Sequence, residues 1–156
     1  MANNEEIIKS LETKLKGAVF NIVAPRERRI FAETSLPKLV EVTRLLKEWG
    51  MVNIGMITGL DGGDKFEVIY HFYDIHGLLL NLKIFTPRND PKIPTVTSVF
   101  PGVFLYEREL MDLLGIIVEG IPPGRRYPVP DDWPEGEYPL RKDWKGLGVA
   151  VETEVK

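Results

Sequence analysis

The stretch from Lys65 to Tyr73 constrains the fold more than any other part of the sequence. Phe66, Val68, Tyr70 and Phe72 alternate with Glu67, Ile69, His71 and Tyr73, so a strand here has one wholly apolar face and one mixed face. Val52–Ile57 before it and Leu78–Phe85 after it also read as strands, being rich in β-branched and aliphatic residues. Asp61-Gly62-Gly63-Asp64 and His76-Gly77 separate the three, and glycine takes the positive φ that tight reversals need. The spacing predicts an antiparallel meander whose apolar face must be covered by helices.

Helical spacing appears in three places. Ile7, Ile8, Leu11 and Leu15 follow Asn3 or Asn4 as an N-cap, with Glu5 and Glu6 in the first turn. Leu36, Leu39, Val40, Leu45, Leu46 and Trp49 lie between Ser35, a capping residue type, and Gly50, a stop. A third helix is expected over about 103–114, between Pro101-Gly102 and Gly115. Ala18–Ala24 and Arg29–Glu33 read as two further strands with Pro25 and a turn between them. The expected class is α+β: an antiparallel or mixed sheet covered by helices over residues 1–115, followed by an extended proline-rich C-terminal arm over 116–156.

That arm has no helical or alternating pattern. Pro122, Pro123, Pro128, Pro130, Pro134 and Pro139 make up half of the 12 prolines and are interleaved with Tyr127, Trp133, Tyr138 and Trp144. Together with Arg125, Arg126 and Arg141 these are the residue types that dominate interface hot spots. Proline lowers the entropy an extended segment loses on docking. An arm with so little regular structure buries its own rings poorly, which points to a second surface; folding back over its own sheet is the plainer alternative. Gly146–Lys156 reads as a loose tail.

Composition excludes several functions. Cysteine is absent, which removes disulfides, thiolate nucleophiles, Cys-ligated zinc and iron–sulfur clusters held by this chain. Twenty basic and 23 acidic residues give a net charge of −3 without a basic block, so nucleic acid is not expected as a partner. The apolar runs Leu78–Leu82 and Gly115–Val118 are far shorter than a bilayer span. The first residues carry neither the basic nor the apolar region of a secretory leader, so the expected location is the cytoplasm.

Chemistry-bearing candidates are few. Asp61-Gly62-Gly63-Asp64 lacks the further spaced acids of a calcium loop, and reads as a polar hairpin turn. His71 and His76 lack a third ligand and read as structural or surface residues. In Glu107-Arg108-Glu109-Leu110-Met111-Asp112, the carboxylates at 109 and 112 share a helix face. Buried in a cleft, such a pair serves as general acid and base, and a small stand-alone carboxylate-dependent enzyme stays open as an alternative. The plainer reading is a solvated face with Arg108 pairing Asp112 at i, i+4.

One set of residues points further. Pro94-Thr95-Val96-Thr97-Ser98-Val99-Phe100-Pro101-Gly102, Tyr106-Glu107-Arg108-Glu109, Asp112-Leu113-Leu114-Gly115-Ile116, Arg125-Arg126, Asp131-Asp132-Trp133 and Pro139-Leu140-Arg141-Lys142-Asp143 occur in this order. The segment 94–144 thereby resembles the thirty-kilodalton, NuoC-like subunit of respiratory complex I. The resemblance implies a non-catalytic member of the cytoplasmic peripheral arm, on the inner face of the membrane, with no cofactor in this chain. The implied partners are a NiFe-hydrogenase-like large subunit of the kind found in complex I, which contacts this chain directly, a small iron–sulfur subunit, and, indirectly, the membrane arm. Iron–sulfur clusters and a nickel–iron centre would sit in those partners. Where a His-Pro pair follows Gly120 in the family, this chain has Ile121-Pro122-Pro123-Gly124. That departure tilts the expectation from quinone reduction toward an energy-converting hydrogenase-type complex that oxidises ferredoxin, with related sulfur-reducing and NADH/quinone complexes as alternatives. By carry-over, Glu107, Arg108, Glu109 and Asp112 tie the third helix to the arm. Arg125, Arg126, Arg141 and Lys142 are expected as paired charges at the contact with the partner, alongside Tyr127, Trp133, Pro139, Leu140, Asp143 and Trp144.

Overall fold

The computed structural model describes residues 3–147; most of the tail expected from Gly146 to Lys156 lies outside them. In chain order the elements are α1 (Asn4–Leu15), β1 (Val19–Arg26), β2 (Arg29–Thr34), α2 (Leu39–Trp49), β3 (Asn53–Asp61), β4 (Lys65–Tyr73), β5 (Leu79–Pro87), β6 (Lys92–Pro94), α3 (Phe104–Leu114) and β7 (Ile117–Glu119). The α+β class and the mixed sheet agree with the sequence reading.

Five strands form one sheet in the order β1-β2-β5-β4-β3. The expected meander is its β3-β4-β5 half, all antiparallel. β1 and β2 form a separate hairpin, and β2 joins β5 in parallel, with Arg29 opposite Leu79 and Glu33 opposite Lys83. The connection from β2 through α2 supplies the crossover that a parallel neighbour requires.

All three helices lie on one face. Phe66, Val68, Tyr70 and Phe72 are fully buried there, with Leu80, Leu82 and Ile84 beside them on β5 and Leu11, Leu39, Val42 and Leu46 above them on α1 and α2. Phe72 meets Phe100 edge-on with ring centroids 5.7 Å apart. Each such side chain contributes roughly 1.5–3 kcal/mol by leaving water. The opposite face carries no helix among the described residues. A polar relay crosses it: Thr58 Oγ1 lies 2.9 Å from His71 Nε2, His71 Nδ1 lies 2.7 Å from Asn81 Oδ1, and Asn81 Nδ2 donates to the Ile30 carbonyl at 3.1 Å. Because the Asn81 amide must turn its nitrogen to that carbonyl, its oxygen accepts, and His71 carries a proton on Nδ1. His71 is thus the structural residue the sequence suggested.

Local details differ from expectation where side-chain chemistry outweighs periodicity. Asn3 caps α1 in a reciprocal box, its side chain accepting from Glu6 N–H while the Glu6 carboxylate accepts from Asn3 N–H. Ser35 makes no side-chain capping bond; a short 3-10 turn over Leu36–Lys38, started by Pro37, precedes α2 instead. Residues 88–94, which carry no period in the sequence, contain β6, which pairs in parallel with β7 just beyond α3. At three residues each, neither strand is long enough to show a period.

Candidate subunit interface

The charged turn of α3 is not a solvated face. Glu107 is completely buried: Val96 N–H donates to its Oε1 at 2.7 Å and Thr95 Oγ1 donates to its Oε2 at 2.5 Å. Burial pushes the Glu107 carboxyl above its ordinary value, against the opposing pull of those two hydrogen bonds. The nearby Tyr70 hydroxyl is buried without a hydrogen-bond partner among the described residues. Burial first, and then the Glu107 charge, push the phenol well up, so it remains neutral. Glu107 therefore fastens the 94–97 segment to α3 from inside.

Arg108 and Asp112 do not pair with each other. The Arg108 guanidinium is buried against the Phe104 ring, 4.6 Å from its centroid, and donates from Nη1 to the Arg125 carbonyl at 3.0 Å and from Nη2 to the Pro122 carbonyl at 2.7 Å. Its Nε is buried with no hydrogen-bond partner among the described residues. The arm wraps so closely here that a Cβ on Gly124 would lie 2.6 Å from Phe104 and 2.9 Å from Arg108 Nη2. Asp112 turns to the arm instead, accepting from Tyr127 N–H at 2.7 Å and from Arg126 Nε at 3.5 Å. Arg126 also donates to the Trp133 carbonyl at 2.5 Å. With both Asp112 oxygens engaged, Glu109 stands apart on the helix without an acid–base partner among the described residues.

The end of the arm is held at the C-terminus of α3 and at the β3–β4 turn. Arg141 Nε donates to the Leu114 carbonyl at 2.7 Å, and its guanidinium lies over the rings of Tyr138 and Phe66 at 4.3 and 5.4 Å. Gly115, with φ 69°, permits this approach: a Cβ there would lie 2.5 Å from Arg141 Nη2 and 2.6 Å from the Tyr138 ring. Leu140 N–H donates to the Leu113 carbonyl at 3.0 Å. Asp61 then accepts from Lys142 N–H at 2.8 Å and pairs with Arg88 at 2.5 Å, while Arg88 also reaches Asp143 at 2.6 Å. Burial tends to raise the Asp61 carboxyl, but the Arg88 guanidinium and the amides of Lys142 and Gly63 outweigh it and hold it at about 2. Trp133 and Trp144 stack loosely at 6.3 Å, their indole N–H groups donating to the Glu137 carbonyl and carboxylate at 2.9 and 2.7 Å.

The structure thus brings Arg108, Asp112, Arg126 and Arg141 together with the arm and gives each of them partners within the chain, the Arg108 Nε excepted. Arg125, Tyr127, Leu140, Lys142 and Asp143 are exposed, and Trp133, Tyr138, Pro139 and Trp144 are half-buried. Thr95, Asp61, Arg88 and Phe104 were not foreseen as partners. Asp61 and Arg88 are far apart in the sequence, and no local pattern joins them.

This architecture is that of a known family. Residues 32–149 match the family model described as respiratory-chain NADH dehydrogenase, 30 Kd subunit. The chain belongs to that family. The membrane-bound hydrogenase subunit beta of Pyrococcus furiosus is 41% identical over 91 residues, covering 56% of this chain and 53% of that protein. The corresponding C component of the F(420)H(2) dehydrogenase of Methanosarcina mazei is 35% identical over 148 residues, covering 90% of this chain and 91% of that protein. The chain spans about half the length of the first curated relatives it matches. Among solved structures, a chain of the membrane-bound sulfane sulfur reductase, an archaeal respiratory membrane complex, superposes with a TM-score of 0.83 at 28% identity, covering 92% of this chain and 86% of that one. A trypsin-resistant fragment of Nqo5 shares the fold, with a TM-score of 0.65 over 76% of this chain and 98% of the fragment at 24% identity.

Proposed function

We propose that this chain is a non-catalytic assembly subunit in the cytoplasmic peripheral arm of a membrane-bound, complex I-related oxidoreductase of the energy-converting, ferredoxin-oxidising hydrogenase type. Its partners in this reading are a hydrogenase-like large subunit and a small iron–sulfur subunit, which carry the redox centres. The observation that carries the reading is the arm: family membership joined to a strap of rings and guanidinium groups, pre-shaped by α3 and still half-exposed. The composition supports it, since a chain without cysteine leaves cluster ligation to its neighbours. No helix among the described residues is long and apolar enough to cross a membrane, so attachment to the membrane falls to other chains in this reading.

The 28% identity to the sulfane sulfur reductase chain over 92% of this sequence favours a sulfur-reducing complex as the second reading. A stand-alone carboxylate enzyme gains no support, because Asp112 is committed to Arg126 and Tyr127.

Affinity purification of the tagged chain from its native membranes tests the proposal. The expected result is co-purification with a large and an iron–sulfur subunit, and hydrogen evolution from reduced ferredoxin by the purified complex; sulfur or quinone reduction would select the alternatives. Recovery of the chain alone under conditions that preserve membrane complexes counts against all three. Arg126→Ala and Asp112→Ala are expected to lower recovery of the partners by loosening the strap.

A further inference from the structure

We infer that the free edge of β3 is a second docking site, which receives an extended segment of a partner subunit as an added strand; this deepens the assembly role proposed above and rests on it. β3 is the terminal strand of the sheet, and among the described residues nothing pairs with its outer side. Gly62 N–H donates to the Lys65 carbonyl at 2.9 Å across the turn. Counting back by alternate pairs, Leu60, Thr58 and Met56 bond to β4, while Ile57 and Gly59 turn their N–H and C=O groups outward. Unpaired strand groups of this kind are a template for another strand.

The edge opens onto a groove rather than flat surface. Between β3 and α3 lies a depression of about 210 Å³ lined by Met56, Ile57, Tyr106, Glu109, Leu113 and Leu140, largely apolar. A strand edge beside a helix, with apolar pockets between them, selects an extended peptide with alternate apolar side chains. A helix cannot use the outward amides, and a small apolar ligand would leave them unpaired. Glu109 sets the charge of the occupant. It is the one charged side chain lining the groove and makes no ion pair or hydrogen bond among the described residues. The entering segment therefore carries a lysine or arginine beside its apolar residues. Leu140 belongs to the arm, so the groove continues the arm's outer surface.

The absence of native cysteine makes the test clean. Met56→Cys is placed in the groove, and Ile75→Cys, on the β4–β5 turn and 77% exposed, serves as the reference. In the purified membrane complex, maleimide labelling of the Met56→Cys variant is expected to slow at least tenfold relative to the free chain, with labelling of the Ile75→Cys variant unchanged. A photo-crosslinker on the thiol at position 56 is expected to join an extended segment of another subunit that contains a basic residue. Glu109→Lys, at a half-buried position that opens onto the groove, is expected to weaken partner binding at least tenfold, with Glu109→Gln intermediate and both variants as stable as wild type in the free chain. Equal labelling at position 56 in an intact complex overturns the groove inference and leaves the assembly role standing. A crosslink to a partner helix, or full binding by Glu109→Lys, overturns it too. Failure of the wild-type chain to enter any complex overturns the assembly role itself.

Discussion

The sheet with its three helices and the arm beyond Gly120 are held by different forces. The sheet and helices enclose a continuous set of side chains with almost no exposure, from Ile7 to Val118; past Gly120, Val129 is the one buried hydrophobic residue among those described. The arm is held by hydrogen bonds to backbone groups and by stacked cations: Arg108 on Pro122 and Arg125, Asp112 on Tyr127, Arg141 on Leu114. Apolar burial is cooperative and non-directional, whereas each of these bonds to a charged group is directional and contributes about 1.5–3 kcal/mol net at its own point. The difference teaches that the arm is a shaped element fastened at separate points rather than by a shared core.

The sharpest break of that comparison is in the core. Phe72→Ala removes a fully buried ring and its contact with Phe100. A loss of about 3–5 kcal/mol is expected, as one global shift of the denaturation midpoint. If only part of the chain loosened, the sheet and helices would not be one cooperative unit.

Glu107 stands on the border between the two regions, and its effect should depend on pH. Its folded-state carboxyl is raised above the unfolded value, so the stability it contributes is full below its ordinary value of 4.5 and is lost as pH rises through the raised folded value. Glu107→Gln keeps an acceptor for Val96 N–H and removes that slope, so its stability relative to wild type should improve as pH climbs from about 4 to about 8. Glu107→Ala removes the same slope but also strands the Val96 amide, and should lie about 1–3 kcal/mol below Glu107→Gln across the range. Denaturant titrations across that range measure both.

Gly124→Ala separates the regions directly. The added methyl would sit against Phe104 and Arg108, and about 1–3 kcal/mol of overpacking is expected. Because so little of the arm is buried, the strain should be relieved by releasing its nearer part, while Arg141, Leu140 and Asp61 hold the rest. Hydrogen exchange should accelerate over 122–127, with the amides of 140–144, β4 and β5 unchanged; slower global refolding or a lowered global midpoint would show that the arm is integral to the core.

How far the sequence reveals each region follows from the same forces. Phe66, Val68, Tyr70 and Phe72 announce their strand because burial on a pleated surface imposes a period of two, and α2 is equally plain at the helical period. The parallel junction of β2 with β5 was less legible, since pairing partners leave no mark in local spacing. The arm's composition signals contact but not geometry. Arg108 reads as an i, i+4 partner of Asp112, yet it serves carbonyls at 122 and 125, and a carbonyl acceptor has no side-chain signature. Glu107 and Glu109 look alike in the sequence; one is sealed under Thr95 and the other faces an open groove.

Asp61 gives the smallest expected effect and the finest test. Its carboxyl, held at about 2 against an ordinary 3.8, joins the β3–β4 turn to Lys142 and, through Arg88, to Asp143. A depressed folded value means that the stabilisation is present above the unfolded value and is lost as pH falls through about 2. After allowance for solvent screening, it is worth about 1 kcal/mol. Asp61→Asn should remove that increment at neutral pH, and its stability should converge with wild type in acid. Exchange at 140–144 should quicken in the variant while that at 122–127 holds, since Arg108 and Asp112 secure the nearer part of the arm independently. Loss of protection along the whole arm would mean that its clips act as one unit, and the arm would then be a single latch rather than a series of separate ones.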